Sequence, residues 1–299
     1  MMWLSLAFLS AALLGLYDVS KKQALRGNAV VVVLFLNTFF SMLIFFPFIV
    51  LSIMPGVLDD TLFYVPMYGW EVHKYILLKA IIVLSSWLFG YFGMKHLPIT
   101  IVGPINATRP VMVLLGALLI FGEQLNGWQW TGVLLSIVSF LLLSRSSKRE
   151  GIDFRHNRWI YCVVLASLLG AVSALYDKFL MQRFDSMAVQ AWFAFYQFFI
   201  MCVLVLVLWA PTRHQTTPFH WSWAIPLISI FLCAADFAYF TALAQDGSLI
   251  AVVSMVRRGS VVVSFLCGAL LFREKNLRSK VFDLLLVLLG MLCLYWGTR

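Results

Sequence analysis

Ionisable side chains stand near the middle of long apolar runs at four positions of this sequence: Arg109, Asp236, Arg257 and Arg258. A charge inside an apolar run is costly to bury, so each position is a candidate functional site. The planar guanidinium of arginine pairs with carboxylate or phosphate through two parallel hydrogen bonds. Because three arginines accompany one aspartate, positive charge remains to be neutralised. These residues predict a site that binds an anionic group.

A structural interpretation of the same charges stays open. Asp236 would pair with one arginine and tie two apolar segments together, while another arginine would meet backbone carbonyls. The two interpretations differ in the effect of mutation. Loss of a structural pair lowers stability, whereas loss of a binding residue lowers activity alone.

Aromatic residues are candidates for the walls of the same site, namely Tyr17, Trp87, Tyr91, Tyr176 and Tyr239. Trp87 and Tyr91 are four residues apart, and Asp236 and Tyr239 are three apart, so each pair shares one face of a helix. Rings that carry one polar atom suit the binding of amino acids or cyclic metabolites. The alternative for each ring is packing, or a place in the aromatic belt at the membrane surface.

Charges near the ends of apolar runs have simpler explanations. Asp18 and Asp177 lie beside lysines, which predicts local ion pairs. Lys79 lies about one turn inside its run, and its long side chain would reach the membrane surface. Glu123 and Glu274 each end a run, either as proton-coupling carboxylates or as residues of a surface turn. Their turn-like neighbours favour the surface turn.

The elements that position these residues are long apolar helices. Hydrophobic residues make up 62% of the 299 residues and charged residues 12%, against about 45–50% and about 25% in soluble domains. Runs of roughly 20 apolar residues match the ~30 Å hydrocarbon core of a bilayer. We therefore predict an all-α integral membrane protein in a lipid bilayer, with ten transmembrane segments: 2–20, 29–51, 75–95, 99–121, 127–144, 159–181, 186–210, 221–243, 249–272 and 279–297.

The ten segments divide into two similar halves. Segment one ends GLYD at Asp18, and segment six carries ALYD at Asp177, an offset of 159 residues. Segments four and nine close on Glu123 and Glu274, an offset of 151 residues. Two matches in the same order predict an internal duplication, with a first five-helix repeat at 1–147 and a second at 148–299.

An odd number of crossings per repeat predicts that the two halves are inverted relative to each other. Inverted repeats are a recurrent transporter design that places the substrate site near the membrane midplane, at the repeat interface. Under the 151-residue offset, Asn106 corresponds to Arg257 and Arg109 to Ser260. The two-fold axis would therefore bring Asn106 and the three arginines into one midplane region.

Loop charges predict the orientation of the chain. Connections on one side of the membrane hold fourteen lysines and arginines, whereas the opposite side, with both termini, holds four. Because positive loops stay in the cytoplasm, this count places both termini outside it. The short loops are typical of a multi-pass protein of a bacterial inner membrane.

The ten segments, the five-plus-five duplication and the glutamates Glu123 and Glu274 resemble the drug/metabolite transporter superfamily, in its EamA-like branch. The resemblance covers the whole chain. It implies a central cavity surrounded by segments three, four, eight and nine, with parts of one and six. It also implies cytoplasmic termini, in conflict with the loop charges, and we keep the orientation that the charges predict.

These observations predict a secondary transporter, acting as an exporter, of a small carboxylate-bearing, phosphate-bearing or zwitterionic metabolite. Proton coupling or exchange would supply the energy, because no nucleotide-binding motif is present, and no cofactor is expected. A lipid or lipid-phosphate flippase of the same fold is the alternative, and a membrane-embedded enzyme is a remote one because no catalytic motif appears. The net charge of +9 lies in loops between apolar runs, which argues against a nucleic-acid partner.

Overall fold

The fold of the chain comes from a computed structural model. It describes residues 2–58, 61–109, 111–113, part of 126–142, 156–181, 183–211, 213–214, 217–245, 253, 256–257, 259–271 and 277–297. Arg258, Glu123 and Glu274, which figured in the sequence analysis, lie outside these residues.

Apolar helices make up nearly all of the described chain. Four belong to the first half: α1 (Met2–Leu25), α2 (Val30–Leu51), α3 (Trp70–His96) and α4 (Ile99–Ala107). Five belong to the second half: α5 (Arg158–Met181), α6 (Ser186–Leu204), α7 (Ala224–Ala244), α8 (Ser260–Leu271) and α9 (Leu277–Gly297). A π-helical segment, Val205–Trp209, extends α6. Helices α1 to α4 lie on predicted segments one to four, and α5 to α9 lie on segments six to ten. The described α4 and α8 cover only parts of segments four and nine.

The chain is a multi-pass membrane protein. Within the described residues, six helices are long and apolar enough to cross a bilayer, and the shorter Ser260–Leu271 is also apolar. The six are Trp3–Leu25, Val30–Leu51, Trp70–His96, Arg158–Met181, Ser186–Trp209 and Ala224–Ala242. The described residues of predicted segment five, between 127 and 142, are helical.

Two helices are longer than the sequence predicts, because the charges at their ends find partners. Helix α1 continues to Leu25, so Lys21 and Lys22 lie inside the helix and not in a loop. The Lys21 ammonium pairs with Asp18 one turn earlier, at 2.7 Å. Lys22 donates to the Met94 carbonyl at the end of α3, at 2.8 Å. Helix α3 begins five residues early, at Trp70, and carries an ion pair between Glu71 and Lys74 in its first turns.

The two halves pack through contacts that occur in matching sets. Helices α1 to α4 correspond in chain order to α5 to α8. Under this correspondence the contact of α1 with α7 has its counterpart in the contact of α5 with α3, and both contacts are extensive. The α2–α7 contact likewise has its counterpart in the α6–α3 contact. The α2–α6 and α4–α8 contacts each join two corresponding helices, so each is its own counterpart. Buried hydroxyls tie the same pairs, since Ser10 donates to the Ala235 carbonyl at 2.6 Å and Ser86 to the Ala166 carbonyl at 2.7 Å.

Glycines allow the closest approaches between these helices. A Cβ at Gly93 of α3 would lie 2.2 Å from Val163 Cγ2 of α5. A Cβ at Gly15 of α1 would lie 2.5 Å from Val263 Cβ of α8. Small residues at such crossings let transmembrane helices pack closely, which lipid alone would not drive. These glycines therefore allow the close packing of α3 on α5 and of α1 on α8.

Candidate functional site

A central cavity of about 190 Å³ lies between the two halves, lined by residues of α1 and α3 to α8 and their flanking turns. Eight of the residues predicted for the site line it: Tyr17, Trp87, Tyr91, Asn106, Arg109, Asp236, Tyr239 and Arg257. The residues singled out from α1, α3, α4, α7 and the segment before α8 therefore meet in one place.

Arg257 is neutralised by a carboxylate of the protein. Its guanidinium is ion-paired and hydrogen-bonded to Asp236 of α7, and both side chains are largely buried. The Tyr239 ring lies under the guanidinium, with its centroid 4.2 Å from Cζ. Asp236 and Tyr239 are one turn apart on α7, as their spacing predicts, and together they hold Arg257 from two sides. A cation over an aromatic face gains further electrostatic attraction.

Arg109 has a different environment. Its Nη2 donates to Asn106 Oδ1 at 3.2 Å, and no carboxylate of the described residues lies within ion-pair distance. Its Nε, like that of Arg257, is buried without a hydrogen-bond partner among the described residues. Ser167 of α5 donates to the same Asn106 oxygen at 3.0 Å. The guanidinium lies against Gly170 of α5, where a Cβ would be 2.7 Å from Cζ. Arg109 is thus positioned by neutral groups and keeps its positive charge.

Near one end of the cavity, Lys79 of α3 pairs with Asp177 of α5. The two charged groups are 2.8 Å apart, and the Lys79 side chain is 4% exposed. The ammonium also lies over the rings of Phe193 and Phe240, 4.8 and 5.1 Å from their centroids. The predictions of a local ion pair for Asp177 and of a surface position for Lys79 are wrong, because Asp177 pairs with Lys79 of α3 and the Lys79 side chain is buried. Within a low-dielectric interior, the nearest opposite charge outweighs the neighbour in sequence.

A second lysine lies near the other end. Lys21 pairs with Asp18, as its proximity in the sequence predicts, and its ammonium lies over the rings of Tyr17 and Tyr91, 4.3 and 5.5 Å from their centroids. Asp18 also accepts a long hydrogen bond of 3.4 Å from Ser264 of α8. This cluster joins α1, α3 and α8, and all of its members except Ser264 line the cavity.

Tyr176 is the described candidate that the structure does not bring to the cavity. Its hydroxyl donates to the Tyr75 carbonyl at 3.2 Å, and its ring stacks on Phe179. Asp177, the next residue along α5, lines the cavity instead, because neighbouring residues of a helix point about 100° apart.

Sequence reasoning assigned no site role to Asp18, Lys21, Lys79 and Asp177, which all line the cavity. A signal for the aspartates was present, since both belong to the duplicated tyrosine–aspartate motif. The apolar run predicts a start of α3 that is five residues too late, so it places Lys79 near the end of the helix and outside the site. Gln190 of α6, which is 5% exposed and also lines the cavity, has no signal in the sequence that distinguishes it.

The described lining carries one surplus positive charge. Its cations are Lys21, Lys79, Arg109 and Arg257, and its carboxylates are Asp18, Asp177 and Asp236. Each carboxylate has its own cation at ion-pair distance. Arg109 is therefore the cavity cation that the protein itself leaves unneutralised in the part of the chain that the structure describes.

Helices that cross a bilayer around a charged cavity define a polytopic membrane protein with an internal polar site. Residues 1–145 match the model of the EamA-like transporter family. The match identifies the first part of the chain with this family, which is part of the drug/metabolite transporter superfamily.

The fold is shared with at least one solved structure. That structure, described only as the crystal structure of a protein, aligns with 97% of this chain and 96% of its own, with a TM-score of 0.62 and 14% identity. At this identity the likeness shows the fold alone. No curated protein matches this chain.

Proposed function

We propose that the chain is a secondary transporter that exports a small metabolite with one anionic group across the cell inner membrane. The substrate class includes carboxylates, phosphates and zwitterions. The observation that carries the proposal is the unneutralised Arg109 in a cavity between the two halves. A buried guanidinium without a carboxylate is costly, and an anionic substrate removes that cost.

Alternating access around the cavity follows from two inverted five-helix repeats. The matching helix contacts support this arrangement, since the α1–α7, α2–α7, α2–α6 and α4–α8 contacts between the halves all have counterparts when the halves are exchanged. So does the position of the cavity, which is lined by helices of both halves. In a repeat pair of this kind, rocking one half against the other exposes the same site to each side of the membrane in turn.

The geometry around Arg109 suits a carboxylate or phosphate group. The arginine fork offers parallel donors, and its contacts with Asn106 and Gly170 fix its position before the substrate arrives. A preorganised donor pair loses less entropy on binding than a free side chain. For a zwitterion, the rings of Trp87 and Tyr91 offer places for the ammonium group within the same lining.

The size of the cavity favours a small solute over a whole lipid. A volume of about 190 Å³ is below the ~300–1,000 Å³ of sites that hold drug-sized ligands. Transport would draw its energy from exchange or from a proton gradient, because the sequence has no nucleotide-binding motif.

Ligand-induced thermal stabilisation of the purified protein in detergent tests the site. We expect anionic or zwitterionic metabolites to raise the melting temperature of the wild type, since saturation at 100 times Kd adds about 2.7 kcal/mol. The Arg109→Gln variant should lose this shift. The Arg183→Gln variant is the matched control, because Arg183 is exposed and lies over the Phe179 ring outside the cavity.

Two outcomes would contradict the proposal. Equal stabilisation of Arg109→Gln and wild type by the same anions would show that Arg109 is not part of the anion-binding site. Stabilisation by lipid phosphates but by no small metabolite would support a flippase of the same fold instead. Uptake of the stabilising compound into vesicles that contain the protein, against empty vesicles, then separates transport from binding.

A further inference from the structure

The two ends of the central cavity are built alike from different helices. At one end, Lys79 is paired with Asp177 and lies over two aromatic rings, those of Phe193 and Phe240. At the other end, Lys21 is paired with Asp18 and lies over the rings of Tyr17 and Tyr91. Each end therefore combines a lysine, two rings and one aspartate of the duplicated motif, although one lysine comes from α3 and the other from α1.

The distance between the two clusters can be read along α3. Lys79 and Tyr91 both belong to this helix and are twelve residues apart. At 1.5 Å per residue, their positions differ by about 18 Å along the helix axis, more than half of the ~30 Å hydrocarbon core. Arg109, Asp236 and Arg257 also line this cavity. The clusters thus lie toward opposite ends of α3.

A second, smaller cavity of about 70 Å³ lies directly outside the Lys79 cluster. It is lined by the end of α7, the start of α6 and Leu62 of the connection between α2 and α3. Leu62 is 74% exposed, so this outer cavity reaches the protein surface. Gln190 and Phe240 line both cavities. These two side chains are therefore the partition between them.

We propose that Phe240 is a gate between the outer and central cavities, held closed by the paired Lys79. The inference goes beyond the proposed function, because it assigns the access route and the residue that blocks it. Lys79 attracts the Phe240 ring through its ammonium, and Asp177 fixes the ammonium in place. A shift of the ring would join the two cavities and connect the central site to the surface near Leu62.

The contacts at this partition are weak enough to open. The Phe240 ring can move while the Lys79–Asp177 pair stays closed, because that pair joins α3 to α5 and does not include α7. The Gln190 amide donates to the Cys233 carbonyl at a long 3.5 Å. Phe240 is 7% exposed and is fixed by packing and by the cation, without a polar anchor of its own. An aromatic ring held in this way can rotate without breaking strong hydrogen bonds.

The test measures access to the central cavity and requires no substrate. Ser173 of α5 lines the central cavity, is 8% exposed and does not line the outer one. In a Ser173→Cys protein, the rate at which a charged methanethiosulfonate labels residue 173 is followed by peptide mass spectrometry, with the native cysteines left in place. We expect Phe240→Ala to raise this rate about thirtyfold, the factor that a desolvated cation–π contact contributes to an equilibrium.

The matched control is Phe237→Ala. Phe237 lies one turn earlier on α7, lines only the outer cavity and stacks on Phe63. Its removal widens the outer cavity but leaves the partition intact, so labelling should remain near the parent rate. Asp177→Asn, which frees the lysine, should raise the rate as Phe240→Ala does. Phe240→Leu provides a milder change if the alanine variant fails to purify as a folded protein.

The results separate this proposal from the transport proposal. Equal labelling rates in the Phe240→Ala, Phe240→Leu and Phe237→Ala proteins would overturn the gate. Such a result would leave anion binding at Arg109 untouched, since that is measured by thermal stabilisation. Faster labelling at position 173 in a protein that binds no anion would retain the gate and overturn the proposed substrate class.

Discussion

Two arginines in the same cavity have opposite surroundings. Arg257 is paired with Asp236 and covered by the Tyr239 ring. Among the described residues, Arg109 has one hydrogen-bond partner, the neutral Asn106, and a glycine lies against its guanidinium. Both arginines lie close to the middle of their apolar runs, so the sequence alone does not distinguish a structural from a binding role for either of them.

The difference separates a structural charge from a charge that is available to a ligand. The Asp236–Arg257 pair joins α7 to the segment before α8, so its loss should affect the stability of the second half. Arg109 is positioned by groups that do not neutralise it, so its loss should affect anion binding. The structural and binding interpretations of the central arginines thus both apply, each to a different residue.

The largest effect is expected when the neutralised pair is broken from its acidic side. Asp236→Asn leaves the Arg257 guanidinium buried without a counter-charge, which should cost about 3 kcal/mol of unfolding free energy. Chemical denaturation in mixed micelles measures this loss. The double variant Asp236→Asn, Arg257→Gln should recover most of it, because no unpaired charge then remains.

The control for this prediction is Glu71→Gln. It breaks the exposed pair with Lys74 at the start of α3 and should cost less than about 1 kcal/mol. If Asp236→Asn were no more destabilising than Glu71→Gln, the Asp236–Arg257 pair would not be structural. The comparison between the two arginines would then fail.

Much of the fold follows from the pattern of apolar runs, and the reason is physical. A helix must cover the thickness of the bilayer, so the length of a run fixes the element, as for α2, predicted at 29–51 and found at Val30–Leu51. Ends that carry charges are harder to predict. The length of α1 depends on Asp18, one turn before Lys21, and on the Met94 carbonyl, which is distant in sequence from Lys22. The early start of α3 carries the Glu71–Lys74 pair.

The candidate site could be predicted only in part, because side-chain partners are set by packing. The central positions of Arg109, Asp236 and Arg257 are visible as charges in apolar runs. Which arginine pairs with Asp236 depends on how α7 packs against the segment before α8, and the local sequence does not determine that packing. The pairing of Lys79 with Asp177 requires α3 to pack on α5, two helices from different halves.

A second prediction moves the available arginine without removing it. In Gly170→Ala the new Cβ would lie 2.7 Å from Arg109 Cζ, so the flexible guanidinium must shift away from α5. Displacement of a preorganised donor pair by about 1 Å should weaken anion affinity about tenfold, or ~1.4 kcal/mol. Stability should hardly change, since alanine favours the helix. Titration of the stabilising anion by thermal shift gives the affinity.

Gly127→Ala is the control for this change, because a Cβ at Gly127 meets nothing within 4 Å. It should leave the affinity at the wild-type value. Unchanged affinity in Gly170→Ala would mean that the position of the Arg109 guanidinium does not matter to the ligand. Arg109 would then resemble Arg257 in being a structural residue.

The smallest effect is expected one contact further from the ligand, at Ser167. Its hydroxyl donates to the Asn106 oxygen that also receives Arg109, so Ser167→Ala loosens the amide that positions the guanidinium. The loss of one hydrogen bond, about 1 kcal/mol, should lower anion affinity roughly fivefold. Ser10→Ala removes a comparable buried hydrogen bond, to the Ala235 carbonyl, away from the cavity lining. It should lower stability but not affinity.

A double-mutant cycle decides whether Ser167 acts through the available arginine. If it positions Arg109, the affinity loss caused by Ser167→Ala should shrink when Arg109 is lysine, which makes no planar fork that an amide could orient. An equal loss in both backgrounds would mean that Ser167 contacts the ligand itself or acts on the fold as a whole. A smaller loss in the lysine background would make Asn106 and Ser167 positioning residues for Arg109, whereas the position of the Arg257 guanidinium is determined by the Asp236 carboxylate.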